Sequence, residues 1–521
     1  MLHSFPRLRK TWTSLVIAAV LAAAVGIPSL KVNAEGPSDP APSITPTTAN
    51  GKKVLFDNTH AQTAGAADWV IDGAFSDFAG GLAGAGYYVK ELRKSTAITL
   101  ADLSGYDVFV IPEANIPYKT SEQEALLSYV NAGGSIFFIS DHYNADRNKN
   151  RWDASEVFNG YRRGAWSNPA LGMSTEEAAS SAMSGVSSSD WLSTNFGVRF
   201  RYNALGDVVA NNIVAPAQAF NITSGVSSVA VHAGSTLAIT NPAKAKGIVY
   251  VPTTATAWSS AVDAGVYNGG GVAEGPFVAV AKVSAGKAAF IGDSSPVEDA
   301  SPKYKKEETG GTKTTYDGYE EADDATLLLN MVNWLATKES YTSLSAVPGL
   351  SLDTATTLSS WELPANSTQP VAEPWATPAS GYKWYDPSTF KSGSYGVAGT
   401  STTNPAYVFE HQAILPNQYE FQVKVILSGL TANSTTSGYS LGIYNSSGTQ
   451  VAKIKNSDGS WPSSYGYSST FSLTADSGGV ASKTLTVSIN PNITGAASMR
   501  LRLNSTAKYT EAVTIANVPV E

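Results

Sequence analysis

Polar side chains with acid, base or ligand chemistry follow the most apolar short segments of this chain. The segments are Lys53–Phe56, Asp107–Ile111, Ser135–Ile139 and Lys287–Ile291. Shortly after them come Asp57, Asn58, His60, Glu113, Asn115, Asp141, His142, Asn144, Asp293, Ser294 and Ser295. General acid–base catalysis needs such groups held close together. Their chemistry therefore depends on whether the fold brings these distant segments to one place.

The elements around these segments predict an α/β fold: a flavodoxin-like parallel sheet with helices on both faces. Short runs that are apolar on both faces alternate with helical patterns, most clearly over Ser121–Ala132. We expect Ser121 to cap that helix, with Glu124 in the reciprocal capping position. Because parallel strands end at one edge of such a sheet, where ligands bind, the polar residues should converge there.

A cluster of carboxylates at that edge predicts hydrolysis. Crowded carboxylates repel one another unless a cation or a proton neutralises one of them. We therefore expect a divalent metal ion held by Asp57, Asp141, His142 and Asp293. The predicted catalytic groups are Asp57, His60, Glu113, Asp141, His142 and Asp293, and the predicted substrate-binding groups are Asn58, Trp69, Asn115, Asn144, Ser294 and Ser295. The alternative is that polar residues follow strands because loops begin there.

Three stretches resemble the class I glutamine amidotransferase-like superfamily. They are Leu103–Glu113, Ser121–Asp141, and Gly286–Ser294 followed by Leu327–Ala336. Within that superfamily they are most similar to the auxiliary domains of gliding-motility transporter and intraflagellar-transport proteins. The resemblance spans about residues 51–338 and implies a flavodoxin-like domain. It does not carry amidotransferase activity, because that reaction needs a cysteine nucleophile and the chain has no cysteine.

Composition divides the chain into five segments. Residues 1–34 have a basic start, an apolar stretch and a small-residue pattern at Val32–Ala34, which predicts a cleaved secretory signal peptide without a membrane anchor. The other predicted segments are a flexible lead (35–50), the α/β domain (51–338), a Ser/Thr/Pro-rich linker (339–381) and an antiparallel β-sandwich (382–521).

Charge restricts the partners of the exported chain. The 521 residues carry a formal net charge of −8, and the predicted signal peptide contains basic but no acidic side chains. The mature chain is therefore still more acidic, which makes it a poor candidate for neutralising nucleic-acid phosphates. The expected partner is an extracellular polymer or its fragments, with carbohydrate favoured.

Two functions remain open at this level. The first is a secreted hydrolase that acts on an extracellular polymer, with a glycan favoured over a phosphodiester. The second is a non-catalytic secreted protein that binds a saccharide or a partner. The C-terminal segment adds aromatic side chains that could stack on sugar rings or pack in a core: Trp375, Trp384, Tyr385, Trp461, Tyr465 and Tyr467.

Overall fold

The computed structural model describes residues 35–259, 261, 265–369, 377–397, 405–428, 430, 434–476 and 479–520. The predicted signal peptide and Trp375 lie outside these residues. Among the described helices, none is long and apolar enough to cross a membrane. From residue 33 onward the chain belongs to one compact unit.

The helices and strands follow in chain order. The strands are β1 (Ser43–Ile44), β2 (Lys53–Asp57), β3 (Tyr88–Leu92), β4 (Val108–Ile111), β5 (Ser135–Ile139), β6 (Val198–Phe200), β7 (Val208–Ala210), β8 (Asn212–Ile213), β9 (Val229–Val231), β10 (Leu237–Ile239), β11 (Ala245–Tyr250), β12 (Val278–Val283), β13 (Gly286–Ile291), β14 (Ala406–Glu410), β15 (Ile414–Pro416), β16 (Phe421–Ser428), β17 (Thr435–Asn445), β18 (Ala452–Ile454), β19 (Phe471–Thr474), β20 (Ala481–Ile489), β21 (Gly495–Leu503) and β22 (Thr506–Ala516). The helices are α1 (Ser76–Gly84), α2 (Leu100–Leu103), α3 (Thr120–Asn131), α4 (Ala154–Asn159), α5 (Thr175–Ala178), α6 (Trp191–Phe196), α7 (Gly271–Glu274) and α8 (Asp324–Ala336).

The N-terminal two thirds of the chain is built on a mixed sheet. Its strand order, among the described residues, is β1-β3-β2-β4-β5-β13-β12-β11-β8. The central strands from β3 to β13 are parallel, whereas β1 at one edge and β12, β11 and β8 at the other run antiparallel to their neighbours. The α/β class is confirmed, but the sheet is mixed rather than wholly parallel, because β12 turns directly into β13 as an antiparallel hairpin.

Helices cover both faces of this sheet because its strands are apolar on both faces. Val54 and Phe56 of β2 pack with α1 and α8, whereas Leu55 between them packs with α3 on the opposite face. The same alternation runs through β5, where Phe138 lies on the α3 face. Successive side chains of a strand point to opposite faces, so each central strand contributes to two separate cores.

The helix α3 begins one residue before its predicted start, and its N-cap residue lies two positions before the predicted N-cap. Lys119, not Ser121, is the N-cap residue, and the carboxylate of Glu122 accepts a hydrogen bond from the Lys119 backbone N–H at 2.9 Å. Glu122 therefore takes the reciprocal position that the sequence pattern assigned to Glu124. Capping boxes in neighbouring frames look alike in sequence, and only the backbone path selects one.

Residues 35–50 do not behave as the flexible lead that their composition predicts. Ser43 and Ile44 pair with β3 as an edge strand. Glu35 forms ion pairs with Arg93 and Lys303, each at 2.8 Å. Pairing along an open sheet edge orders a segment that has little apolar surface of its own.

The connecting segment (residues 339–369 and 377–397) packs on the α/β unit. Glu362 is buried against Arg201 at 2.8 Å, and the indole N–H of Trp384 donates to buried Glu177 at 2.7 Å. The first strand beyond it is β14, so Trp384 and its neighbours belong to the α/β surface, although the sequence assigned residues from 382 onward to the β-sandwich.

The C-terminal part consists of two sheets that share one core. Their orders are β14-β16-β20-β18 and β15-β22-β21-β17-β19, and one hydrophobic cluster contains residues from both. The strand β16 alternates strictly between buried and more exposed side chains, as its sequence predicts. The pairings are antiparallel except that of β15 with β22, which is parallel.

We expect Phe138→Ala to destabilise the α/β unit by about 3–5 kcal/mol. The Phe138 ring is fully buried and contacts the rings of Phe158, Phe196 and Phe290, with centroids 5.2–5.6 Å away. Urea unfolding followed by tryptophan fluorescence measures the change. Val209→Ala, at a side chain 53% exposed, is the matched control and should stay within about 0.5 kcal/mol. Equal losses for the two variants would contradict this packing.

Candidate functional site

The predicted site residues separate into two groups because strand side chains alternate between the faces. Asp57 continues the side of Leu55 and contacts the α3 region. Asp141 lies on the same side of the sheet as Ile139, which packs with α1 and α8. Asp293 lies on that side too, because it follows Ile291 of β13 by two residues. The strand ends do meet at one edge, but Asp57 shares no hydrogen bond or ion pair among the described residues with either of the other two.

The first group, the His60 triad, consists of Asp57, His60 and Glu122. His60 donates from Nδ1 to Asp57 at 3.0 Å and from Nε2 to Glu122 at 3.4 Å. Tyr118 donates to the same Asp57 oxygen at 3.0 Å, and its ring lies 4.0 Å from the imidazole centroid. All of these side chains are buried. The imidazole therefore has a carboxylate at each nitrogen.

This arrangement keeps His60 positively charged. Burial alone would lower the pKa of His60, but the carboxylates of Glu122 and Asp57 outweigh burial and raise that pKa to about 10. Conversely, burial would raise the pKa of Glu122, and the imidazolium lowers it to about 2. A histidine that stays protonated at neutral pH cannot accept a proton as a general base.

The second group, the carboxylate cluster, consists of Glu113, Asp141, Asp293 and Glu298 around Arg147. The guanidinium of Arg147 donates to Glu113 at 2.7 Å and also to Asp141. Asp293 accepts from the backbone N–H groups of His232 at 2.6 Å and Ser295 at 2.9 Å. Arg147 therefore supplies the positive charge that crowded carboxylates need.

Trp69 and Ser294 complete this cluster through Glu298. The Trp69 indole N–H donates to Glu298 at 2.7 Å, and the Ser294 hydroxyl donates to the same oxygen at 2.8 Å. The guanidinium of Arg147 lies 5.2 Å from the Trp69 ring centre, within cation–π range. The side chain of Trp69 is fully buried, so it supports the cluster and offers no face to a substrate.

The pKa values of the carboxyl groups in the cluster are shifted in opposite directions. Burial raises the pKa of Asp293 well above its ordinary value, and the neighbouring Asp141 charge adds to the rise. Burial likewise raises the pKa of Glu113, with Arg147 opposing and Asp141 reinforcing the rise. For Asp141 burial also raises the pKa, but Arg147 and His142 outweigh it and lower that pKa. Asp141, whose pKa is lowered, thus lies beside carboxyl groups whose pKa is raised.

The four residues predicted as metal ligands do not come together. Asp57 lies in the His60 triad, whereas His142 donates from Nδ1 to the Tyr143 carbonyl at 3.0 Å and packs its ring against Trp258. Within the described ranges, no group of three or more His, Asp or Glu side chains has a geometry that could hold a metal ion. The metal prediction therefore has no geometric support here.

The remaining predicted substrate-binding residues have structural contacts. Asn58 donates to Glu91 at 2.9 Å and also lines a cavity beside His60. Asn115 donates to backbone carbonyls at 2.8 and 3.2 Å. Asn144 adopts a positive φ of 81°, and its N–H donates to Asp153 at 2.5 Å. Ser295 contacts Asp293 through its backbone, as described above.

A cavity of about 500 Å³ opens beside the His60 triad. His60 and Glu122 line it from the sheet edge, and Trp384, Tyr385 and Phe390 line it from the connecting segment. It lies next to the ends of β2 and β4, the neighbouring strands from which the chain proceeds in opposite directions. Ligands bind at such a switch point in open α/β sheets.

The sequence prediction missed the residues that decide the chemistry of both groups. Glu122 completes the triad, and its signal is the acidic residue three positions after a helix cap. Arg147 has no such signal, since nothing in the sequence pairs it with Glu113 or Asp141. The aromatic side chains of the cavity wall were assigned to the β-sandwich, because their position on the α/β unit depends on the path of the connecting segment.

Comparisons with known proteins add little. No protein-family model matches the chain, and no curated protein matches it. Among solved structures, the chain is similar to the "mmIFT52 N-terminal domain", with 12% identity and a TM-score of 0.35, over 55% of this chain and 99% of that one. It is also similar to a glycosyl hydrolase family 2 member from Bacteroides cellulosilyticus, with 13% identity and a TM-score of 0.15, over 22% of this chain and 15% of that one. Likenesses this weak support neither a family nor a function.

The charge on His60 predicts a pH-dependent stability. Its pKa in the folded chain, about 10, is above the ordinary value of 6.5. Its contribution to the free energy of unfolding is therefore complete below pH 6.5 and lost as the pH rises towards 10. Urea unfolding of the wild type and of His60→Gln across this range should show a difference that shrinks with rising pH. A difference that is independent of pH would contradict a charged His60.

Proposed function

We propose that the protein is an exported binding protein that holds a saccharide, or a similarly polyhydroxylated ligand, in the cavity beside the His60 triad. The observation that carries this proposal is the composition of the cavity wall. Aromatic rings of the connecting segment face hydroxyl, ammonium and imidazolium groups of the sheet edge across about 500 Å³. Ligand cavities typically enclose about 300–1,000 Å³ and combine apolar walls with a few polar groups.

The polar side of the cavity is suited to hydroxyl groups. Thr59, Ser95 and Thr96 line it together with Lys119. The Lys119 ammonium donates to the backbone carbonyls of Ser181 and Ser184, both at 2.6 Å. These hydrogen bonds hold the ammonium group at the cavity wall. Hydroxyl groups can donate and accept hydrogen bonds, which matches a ligand that carries hydroxyls on several sides.

The electrostatics of the cavity favour binding over catalysis. Its imidazole and the carboxylate of Glu122 are already paired with each other at 3.4 Å. A second buried carboxylate, Glu307, also lines the cavity, and it is paired with Lys313 at 3.1 Å. The paired charges of His60 and Glu122 therefore orient a ligand and exchange no protons with it near neutral pH.

The remaining assignments are part of the same proposal. The parallel order β3-β2-β4-β5-β13 corresponds to the 2-1-3-4-5 order of flavodoxin-like sheets, which supports the amidotransferase-like assignment of residues 51–338. The two C-terminal sheets around one core support a β-sandwich. Export rests on the composition of residues 1–34 alone.

A second candidate is hydrolysis at the carboxylate cluster. The observation that favours it is the opposed pKa shifts of Asp141, which is lowered, and of Asp293 and Glu113, which are raised. Neighbouring carboxyls held in different protonation states can act as general base and general acid. A glycan is the first substrate class to test, and a phosphodiester is the second.

Binding at the cavity is tested with Tyr385→Ala. We expect the full mature chain to bind an oligosaccharide from a screened panel, and the variant to bind it about tenfold more weakly, because an aromatic wall is lost. Isothermal titration calorimetry measures both affinities. Tyr419→Ala, at an exposed ring outside the cavity, is the matched control. Binding unchanged in Tyr385→Ala, or no saccharide bound by the wild type, would contradict the proposal.

Hydrolysis is tested with Asp293→Asn. If the cluster is catalytic, the variant should lose turnover of a glycan or phosphodiester substrate while it keeps ligand binding at the cavity. Asp207→Asn removes a carboxylate that is 69% exposed and should leave turnover intact. A reducing-sugar assay and a chromogenic phosphodiester assay provide the measurements. Wild-type protein that turns over neither class would exclude hydrolysis of those substrates, independently of the binding result.

A further inference from the structure

A row of aromatic rings stacked with cations lies on the C-terminal unit, apart from the cavity. The pairs are Lys455 with Trp461 (Nζ to ring centre 5.0 Å), Lys453 with Tyr465 (5.3 Å) and Arg502 with Tyr467 (guanidinium carbon 3.7 Å). These six side chains define the basic–aromatic strip. The rings come from one loop, between β18 and β19. Lys453 and Lys455 lie at the end of β18, and Arg502 lies in β21.

The loop is held in place by backbone hydrogen bonds to both sheets. Gly466 donates to Ala452 of β18 at 2.9 Å, and Ser468 donates to Leu441 of β17 at 2.8 Å. The ring of Tyr467 lies directly against Gly442, where an added Cβ would be only 2.9 Å from two ring carbons. Glycine at this position therefore lets the ring lie on the sheet, so the strip is a built surface.

Arg500 and Tyr444 form a further cation–ring pair in the second sheet, next to Arg502 of the strip. Arg500 lies opposite Gly442 in the β17–β21 ladder, and Arg502 lies opposite Ser440. The guanidinium of Arg500 is 4.7 Å from the ring centre of Tyr444. Because alternate residues share a face, Arg500 and Arg502 present their charges on the same side.

Positive charge on the strip exceeds its local neutralisation. Lys455 pairs with Glu420 at 3.2 Å, whereas Lys453 donates to the Ser463 carbonyl at 2.9 Å and Arg500 donates to the Thr510 hydroxyl at 2.8 Å. Within the described part of the chain, no ion pair joins Lys453 or Arg500 to a carboxylate. This surface is therefore locally basic in a chain whose formal net charge is −8.

We propose that the basic–aromatic strip binds an anionic polysaccharide. Lysine and arginine pair with carboxylate, sulfate or phosphate groups, and the 38% exposed ring of Tyr465 offers an edge and a face to a sugar ring. The repeating units of an acidic glycan present a sugar and a charge together, as the strip presents a ring and a cation together. Single-stranded nucleic acid fits less well, because it stacks its bases on the faces of aromatic rings, and a cation already lies over one face of each of the three rings.

The test compares affinity electrophoresis of the full mature chain in gels that contain polygalacturonate, neutral dextran or no polymer. We expect polygalacturonate alone to retard the wild type, with retardation that decreases as salt is added. Lys453→Gln/Lys455→Gln should weaken this binding about tenfold. Tyr465→Ala should weaken it as well, through loss of the ring.

The controls separate this surface from the cavity and from a general charge effect. Lys338→Gln/Lys424→Gln removes two lysines outside the strip and gives the same net charge, so it should bind like the wild type. Tyr419→Ala and Tyr385→Ala should also leave polygalacturonate binding unchanged.

Three results would overturn the proposal. They are equal retardation of Lys453→Gln/Lys455→Gln and its lysine control, equal binding of dextran and polygalacturonate, and tighter binding of a single-stranded DNA oligonucleotide than of polygalacturonate.

Discussion

The edge of the sheet where its parallel strands end is organised by two cations, each placed between two buried carboxylates. His60 lies between Asp57 and Glu122, and Arg147 bridges Glu113 and Asp141. Removing one partner of a buried ion pair leaves an uncompensated charge and typically costs about 3–5 kcal/mol. The loops that follow β2, β4 and β5 are thus tied to one another by electrostatics as well as by packing.

These two arrangements differ in their electrostatics because their surroundings differ. The His60 triad faces the cavity, and its committed imidazolium contributes charge and hydrogen-bond geometry rather than proton transfer. The carboxylate cluster keeps Asp141 ionised beside groups whose pKa is raised, a state that is poised for acid–base chemistry. Burial and neighbouring charge, not residue type, make this distinction.

The connecting segment determines the chemical character of one wall of the cavity. It supplies an aromatic wall to a sheet edge that is otherwise polar, and Trp384 is fixed there by its hydrogen bond to Glu177. The C-terminal unit contributes a second surface, in which each aromatic ring is paired with a cation. A chain that is acidic as a whole can therefore present one locally basic face, because net charge does not constrain the distribution of charge.

Local patterns in the sequence were sufficient for the central elements of the α/β fold. The segments that form β2, β4, β5 and β13 are apolar on both faces, and α8 is strongly apolar. Such segments must be buried in any fold, so their structure could be predicted without knowledge of their neighbours. Alternating residues likewise predicted β16. The antiparallel hairpin of β12 and β13 was not predicted, because an apolar strand reads the same in either direction.

The site depended on tertiary structure for a related reason. The sequence correctly indicated that acids and histidines follow the strands, but side-chain alternation sends Asp57 to one face and Asp141 to the other. A two-residue difference in the cap of α3 decided that Glu122, rather than Glu124, reaches the sheet edge, and the path of the 142–153 loop decided that Arg147 neutralises the carboxylates. Local sequence determines which residues can ionise, whereas the partners that set their charge come from distant segments that only the folded chain brings into contact.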